Sequence, residues 1–184
     1  MIAQAASTPV QTGFDLETTA VWVTGIIAAT IAIWGVISQR ALTRRRATMD
    51  LIFGILNDHD YIKARKRFIS LSKQTGGLLQ YAQIDPPKID DEPDEDGKSS
   101  IDLILNNYEL LAIGIQRGIL DFRIIKLYMR AIVLAHWKVA ASYVTELREV
   151  RENQRYYVEF ETLKNWMDDN NPQKPNGRFW ALWF

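Results

Sequence analysis

Residues 24–35 read TGIIAATIAIWG. They sit inside a run from Thr18 to Gln39 that holds 22 residues and no charge, bounded by Glu17 and Arg40. At a rise of about 1.5 Å per residue, a helix over this run spans roughly 33 Å, the thickness of a bilayer's hydrocarbon core. A core helix of a soluble protein seldom runs so far without a charge. A cleaved leader is disfavoured too, because no basic residue precedes the run and leaders carry an apolar stretch of only about 7–15 residues. The expectation is a transmembrane helix over 18–39.

The flanks orient it. Arg40, Arg44, Arg45 and Arg46 follow the span, whereas Asp15 and Glu17 precede it. Basic residues stay on the cytoplasmic side, so residues 1–17 are expected outside and everything after Arg40 inside. Trp22 and Trp34 lie toward the two ends, where amphipathic rings favour the interface.

The small residues of the span share a face. With Ala28 at zero and 100° per residue, Thr24 falls at about −40°, Gly25 at +60°, Ala32 at +40°, Gly35 at −20° and Gln39 at +20°. Lipid tails are as apolar as leucine, so spans associate through close packing rather than through hydrophobicity. A flat face permits that approach, and Thr24 and Gln39 can add hydrogen bonds across it. A chain with one span has no partner helix of its own. Self-association through Thr24, Gly25, Ala28, Ala32, Gly35 and Gln39 is the expected outcome; chance alignment of common membrane residues is the alternative.

Composition limits the rest. The 184 residues allow one domain plus an appendage. Basic and acidic residues number 22 each, so no global field recruits nucleic acid. Cysteine is absent, which removes disulfides, thiolate chemistry and cysteine-based metal sites.

Beyond the span, residues 40–75 read as a juxtamembrane helix, with Met49, Ile52, Phe53, Ile55, Leu56, Phe68, Ile69 and Leu71 at helical spacing. Lys63, Arg65, Lys66 and Arg67 form a basic cluster suited to a solvated face or to an acidic loop; RNA or lipid headgroups are further options. Residues 76–100 read as that loop, since DPPKIDDEPDEDGK holds seven acids, three prolines and a glycine. EPDEDG opens like a calcium loop, but Glu92 takes the first position, Pro93 follows, and no closing glutamate stands in place. No metal or other cofactor is expected.

Residues 101–170 read as a bundle of three helices. The first runs from Ile101 to Arg117 and stops at Gly118, the second starts at Asp121 as N-cap, and the third runs from about Ser142 to Asp169. Asn107, Tyr108 and Glu109 are polar letters in an apolar helix, suited to fixing helix pairing. The tail over 171–184 carries Phe179, Trp180, Trp183 and Phe184, an aromatic group that needs a docking surface.

Three stretches carry a resemblance: NNYELLAIGIQRGILD (106–121), Trp137, and RENQRYYVEFETLKNW (151–166), all placed after one span with an arginine-rich exit. Over roughly residues 20 to 168 the chain resembles a bacterial family of one-span membrane proteins catalogued as a domain of unknown function. Its layout is also similar to the membrane accessory proteins of type VI-B CRISPR loci, which pair one span with a cytoplasmic HEPN-like domain. That likeness implies an all-α fold of one N-terminal transmembrane helix and a cytoplasmic HEPN-like bundle. It implies a homo-oligomer in the bacterial inner membrane that forms a pore or perturbs the bilayer in antiphage defence, beside a defence-system effector protein.

HEPN ribonucleases use an arginine and a histidine four to six residues apart, and RAIVLAH supplies Arg130 and His136. Histidine could act as acid or base while arginine holds a phosphate of RNA. Against this, Ala131 stands where those enzymes place a polar residue, and positions six apart diverge by about 120° on one helix. A core-edge histidine and a carboxylate-paired arginine explain the same letters. His59, in NDHD, lies between two aspartates at positions that diverge on a helix, which suits a solvated turn better than a metal site. A non-enzymatic protein is expected, with a tethered ribonuclease and a membrane-anchored scaffold as alternatives.

Overall fold

A computed structural model describes residues 16–83, 87–89 and 92–170. The expectations for residues 1–15 and for the aromatic tail at 171–184 lie outside the described residues. Two compact units divide between Ala41 and Leu42, within the first helix, α1 (Leu16–Asn57).

In the first unit the uncharged run is helical throughout, and none of its residues from Thr19 to Gln39 is buried. It is long enough and apolar enough to cross a membrane. Trp22 and Trp34 expose 70% and 69% of their surface.

The second unit is all-α apart from one two-residue strand pair. α2 (His59–Ser72) leads through a 3-10 turn at Gly77–Tyr81 to β1 (Lys88–Ile89) and β2 (Glu92–Pro93), then to α3 (Glu95–Gln116), α4 (Phe122–Val150) and α5 (Val158–Met167). β1 and β2 are antiparallel, with Lys88 opposite Pro93 and Ile89 opposite Glu92. α3 packs against α2 and α5, and α4 packs against α5 and the 3-10 turn. Phe68, Leu71, Ile101, Ile104, Leu105, Tyr108, Ile115, Ile125 and Phe160 are fully buried and form the centre.

Element ends follow from named side chains. Asp58, extended at φ −73° and ψ 113°, accepts from the Asp60 and Tyr61 amides and starts α2. The expected single helix over 40–75 is therefore two. Asp121 caps α4 as expected, accepting from Arg123 N and Ile124 N. Its own amide donates to Thr48 Oγ1 at 2.8 Å. Gly118, at φ +68°, closes α3 in the left-handed conformation that glycine adopts freely.

Three boundaries differ from the sequence reading. The segment expected as loop to residue 100 turns helical at Glu95. Asp94 caps Gly97 N, and Glu95 and Asp96 occupy the first turn, where carboxylates complement the helix dipole. No break separates 134 from 141, because LAHWKVAA offers no cap, glycine or proline. The break falls at 151–157 instead. Glu152 and Tyr157 adopt φ of 50° and 55°, left-handed values that no glycine announces.

Candidate functional site

Arg130 and His136, the pair suited to composite catalysis, face different partners. Arg130 donates from Nε to the Met167 carbonyl at 3.0 Å and pairs through Nη2 with Asp169 at 2.8 Å. Lys126 joins it, bonding the Trp166 carbonyl and Asp169. Together they fasten the end of α5 to α4. The hydrogen bond from Lys126, helped by the charge of Arg130, holds the Asp169 carboxyl below its ordinary range.

His136 is 6% exposed. Its Nδ1 lies 2.8 Å from the Tyr108 hydroxyl, in a hydrogen bond whose direction follows the imidazole tautomer. Phe68 lies 5.0 Å from its ring. Burial, aided by the charge of Arg65, lowers its pKa to about 4, so the imidazole is neutral at physiological pH. The arginine whose charge reaches His136 is thus Arg65 of α2, a residue that spacing along one helix does not reveal. Burial pushes the hydroxyls of Tyr61 and Tyr108 up, and the same Arg65 charge opposes that rise. Chemically this is a neutral, shielded cluster suited to fixing the contact between α2, α3 and α4, not to moving protons near pH 7.

The neutral imidazole has a pH signature. An unfolded histidine binds a proton near 6.5 and the folded one near 4, so acidification through that window favours unfolding. Stability is expected to fall as pH drops from 6.5 toward 4. In His136→Asn that slope flattens, as denaturant titration of the full chain in mild detergent would show; an unchanged slope overturns the assignment.

The three polar letters of α3 fall in different places. Tyr108 is fully buried against His136 and stacks on Phe160, with centroids 4.5 Å apart. Glu109 accepts from Phe160 N at 2.6 Å, at the N-terminus of α5. Tyr157, the N-cap position there, makes no side-chain cap bond, so Glu109 supplies the cap from another helix. Burial raises the Glu109 pKa despite this bond. Asn107 donates to Leu103 O of its own helix and links nothing across.

Of the arginines after the span, Arg44 and Arg45 pair with Asp121 at 4.0 and 3.8 Å. Arg40, Arg45 and Arg46 are exposed. Arg67 of the second basic cluster bonds Asp94 at 2.7 Å, the partnership with the acidic segment that its charge suggested. His59 is exposed in the first turn of α2, and no group of three metal-ligating side chains occurs among the described residues.

The small-residue face stands open. A Cβ added at Gly25 or Gly35 would meet nothing within 4 Å, and Thr24, Ala28 and Ala32 are exposed. The Thr24 hydroxyl proton goes to the Ala20 carbonyl at 2.8 Å, which leaves its oxygen as an acceptor rather than a donor. A family model described as "Domain of unknown function (DUF4760)" matches residues 22–166. No curated protein and no solved structure matches the chain.

Proposed function

We propose, for a chain that belongs to the DUF4760 family, a single-pass membrane protein that self-associates through α1 and holds its helical domain in the cytoplasm. The observation that carries this is the open small-residue face on an otherwise bulky apolar run with no buried residue from Thr19 to Gln39. In lipid the bulky side is solvated by acyl chains, while the flat side gains van der Waals contact only from another helix. The arginines at 40–46 favour retention of the following domain on the cytoplasmic side. A pore-forming or membrane-perturbing role in antiphage defence extends this reading; its support is the likeness of layout to the type VI-B accessory proteins. A ribonuclease draws no support from the separate partners of Arg130 and His136.

Mass measurement in lipid nanodiscs and mild detergent tests the assembly. Wild type is expected as an oligomer at micromolar concentration. Ala28→Leu with Ala32→Leu is expected to weaken association at least about tenfold, because two bulky side chains hold the backbones apart. A monomeric wild type, or a double variant of unchanged mass, overturns the proposal.

A further inference from the structure

One face of α3 is polar where a bundle interface would ordinarily be apolar. Lys98, Asp102, Asn106 and Glu109 recur at spacings of four, four and three, which keeps them within about 80° of one another around the helix. Opposite them stand Tyr143 of α4, the helix's C-cap Arg151 and the 155–157 segment, and together they line a groove of about 380 Å³. That volume suits a small ligand, since pockets for such molecules run from roughly 300 to 1,000 Å³.

The groove presents three kinds of chemistry in order. Deep in it, Asp102 Oδ1 accepts from both Tyr143 Oη at 3.3 Å and Tyr157 Oη at 3.0 Å. Both hydroxyl protons are spent there, so the tyrosine oxygens and the second Asp102 oxygen are left as acceptors. Beside them Tyr156 is 38% exposed, its ring tilted 47° from that of Tyr157. Arg151 and Arg155, in the same lining, are exposed cations. Acceptors call for an amino or ring N–H edge, an open aromatic ring for a planar π-system, and guanidinium groups for a phosphate. One small molecule joins the three.

The segment that positions these groups is fixed in advance. Arg148 Nε holds the Tyr156 carbonyl at 2.9 Å, and Asn153 Oδ1 accepts from Arg155 N at 2.9 Å. Left-handed backbone at Glu152 and Tyr157 is strained for residues with a side chain, and the buried Tyr157 ring with its bond to Asp102 opposes that strain.

We propose that this groove binds a mononucleotide, the base stacked on Tyr156 with its amino edge toward Asp102 and Asn106, and the phosphate on Arg151 and Arg155. Three cations (Lys98, Arg151 and Arg155) and two carboxylates (Asp102 and Glu109) line the groove, a balance that suits one phosphate better than the continuous basic track of a nucleic-acid site, which favours a mononucleotide.

Calorimetry on the full chain in nanodiscs, with AMP as probe, tests this at low and high salt. AMP is expected to bind at concentrations on the order of 100 µM or below, more weakly as salt rises, and at least about tenfold better than adenosine or inorganic phosphate alone. Arg155→Gln and Tyr156→Ala each reduce affinity about tenfold, and Tyr156→Phe preserves it because the ring remains. Both side chains are exposed, so equal melting curves will separate loss of binding from loss of fold. Three results overturn the proposal: no binding of AMP at millimolar concentration, inorganic phosphate bound as well as AMP, or variants that bind like wild type. A single-stranded RNA dodecamer bound more than tenfold tighter than AMP would assign the groove to nucleic acid and overturn it too. Self-association of α1 is read separately by mass, so failure of either idea leaves the other standing.

Discussion

Phe160→Ala is expected to destabilise the helical domain by about 4 kcal/mol, the middle of the range for deleting a buried aromatic ring. Phe160 is fully buried, stacks on Tyr108 with centroids 4.5 Å apart and 14° between planes, and meets Trp137 edge-on at 5.0 Å. It therefore joins α5 to both α3 and α4. Alanine leaves a void among rings too rigid to collapse into it, so transfer and cavity terms both apply. Phe160→Leu refills part of the space and is expected to cost roughly half as much. Denaturant unfolding of the full chain in mild detergent, followed by near-ultraviolet circular dichroism, reads the difference. A loss below about 1 kcal/mol for alanine would mean that α5 is not seated as described.

Asp94→Ala is expected to cost about 3 kcal/mol, comparable to breaking other buried ion pairs from one side. The carboxylate is 7% exposed and accepts from Arg67 Nη2 at 2.7 Å, Tyr81 Oη at 2.6 Å and Gly97 N at 2.9 Å. Alanine removes the cap of α3 and leaves a guanidinium, a phenol and an amide without the acceptor they share. Asp94→Asn keeps an oxygen for the amide and is expected to fall between wild type and alanine. Burial alone would raise this carboxyl, but the hydrogen bonds from Tyr81, Gly97 N and Arg67 outweigh it and hold its pKa below 3.8. With the folded value below the unfolded one, the contribution is complete above about pH 3.8 and disappears as pH falls through the lower folded value. Asp94 thus steepens acid unfolding only at its most acidic end. Tyr81 reports the same contact, since burial and the Asp94 carboxylate push its hydroxyl up to about 12. Gly97 explains why the cap fits: a Cβ there would lie 2.8 Å from the Tyr81 ring, so only glycine admits both neighbours.

What the amino-acid order revealed and what it concealed divide along one line. Features set by periodicity or by a nearby residue were legible: the uncharged run, the glycine stop at Gly118, the Asp121 cap and the small-residue face of α1. Features that depend on a partner distant in the chain were not. EPDEDG looks like solvent-loving loop because charge and proline dominate it, yet Asp94 is buried once Arg67 and Tyr81 meet it. RENQRYY has neither glycine nor proline, so its reversal at Glu152 and Tyr157 gives no local sign. Asn107, Tyr108 and Glu109 were identified as a group with one expected task, whereas the structure gives them a self-contained bond, a core stack and a cap on another helix. The groove between α3 and the α4–α5 connection escaped notice for the same reason: its two walls lie 34 to 59 positions apart in the chain.

The cap that Glu109 provides carries an implication for biosynthesis. α5 is ten residues long, too short to persist alone in water, and its first turn is anchored from a residue 51 positions earlier. As the chain leaves the ribosome, α2, α3 and α4 emerge with start signals of their own, at Asp58, Asp94 and Asp121. α5 has none. It is therefore the closing piece of domain maturation, and until it arrives the slot between Tyr108 and Trp137 presents bare aromatic surface to chaperones and neighbouring nascent chains.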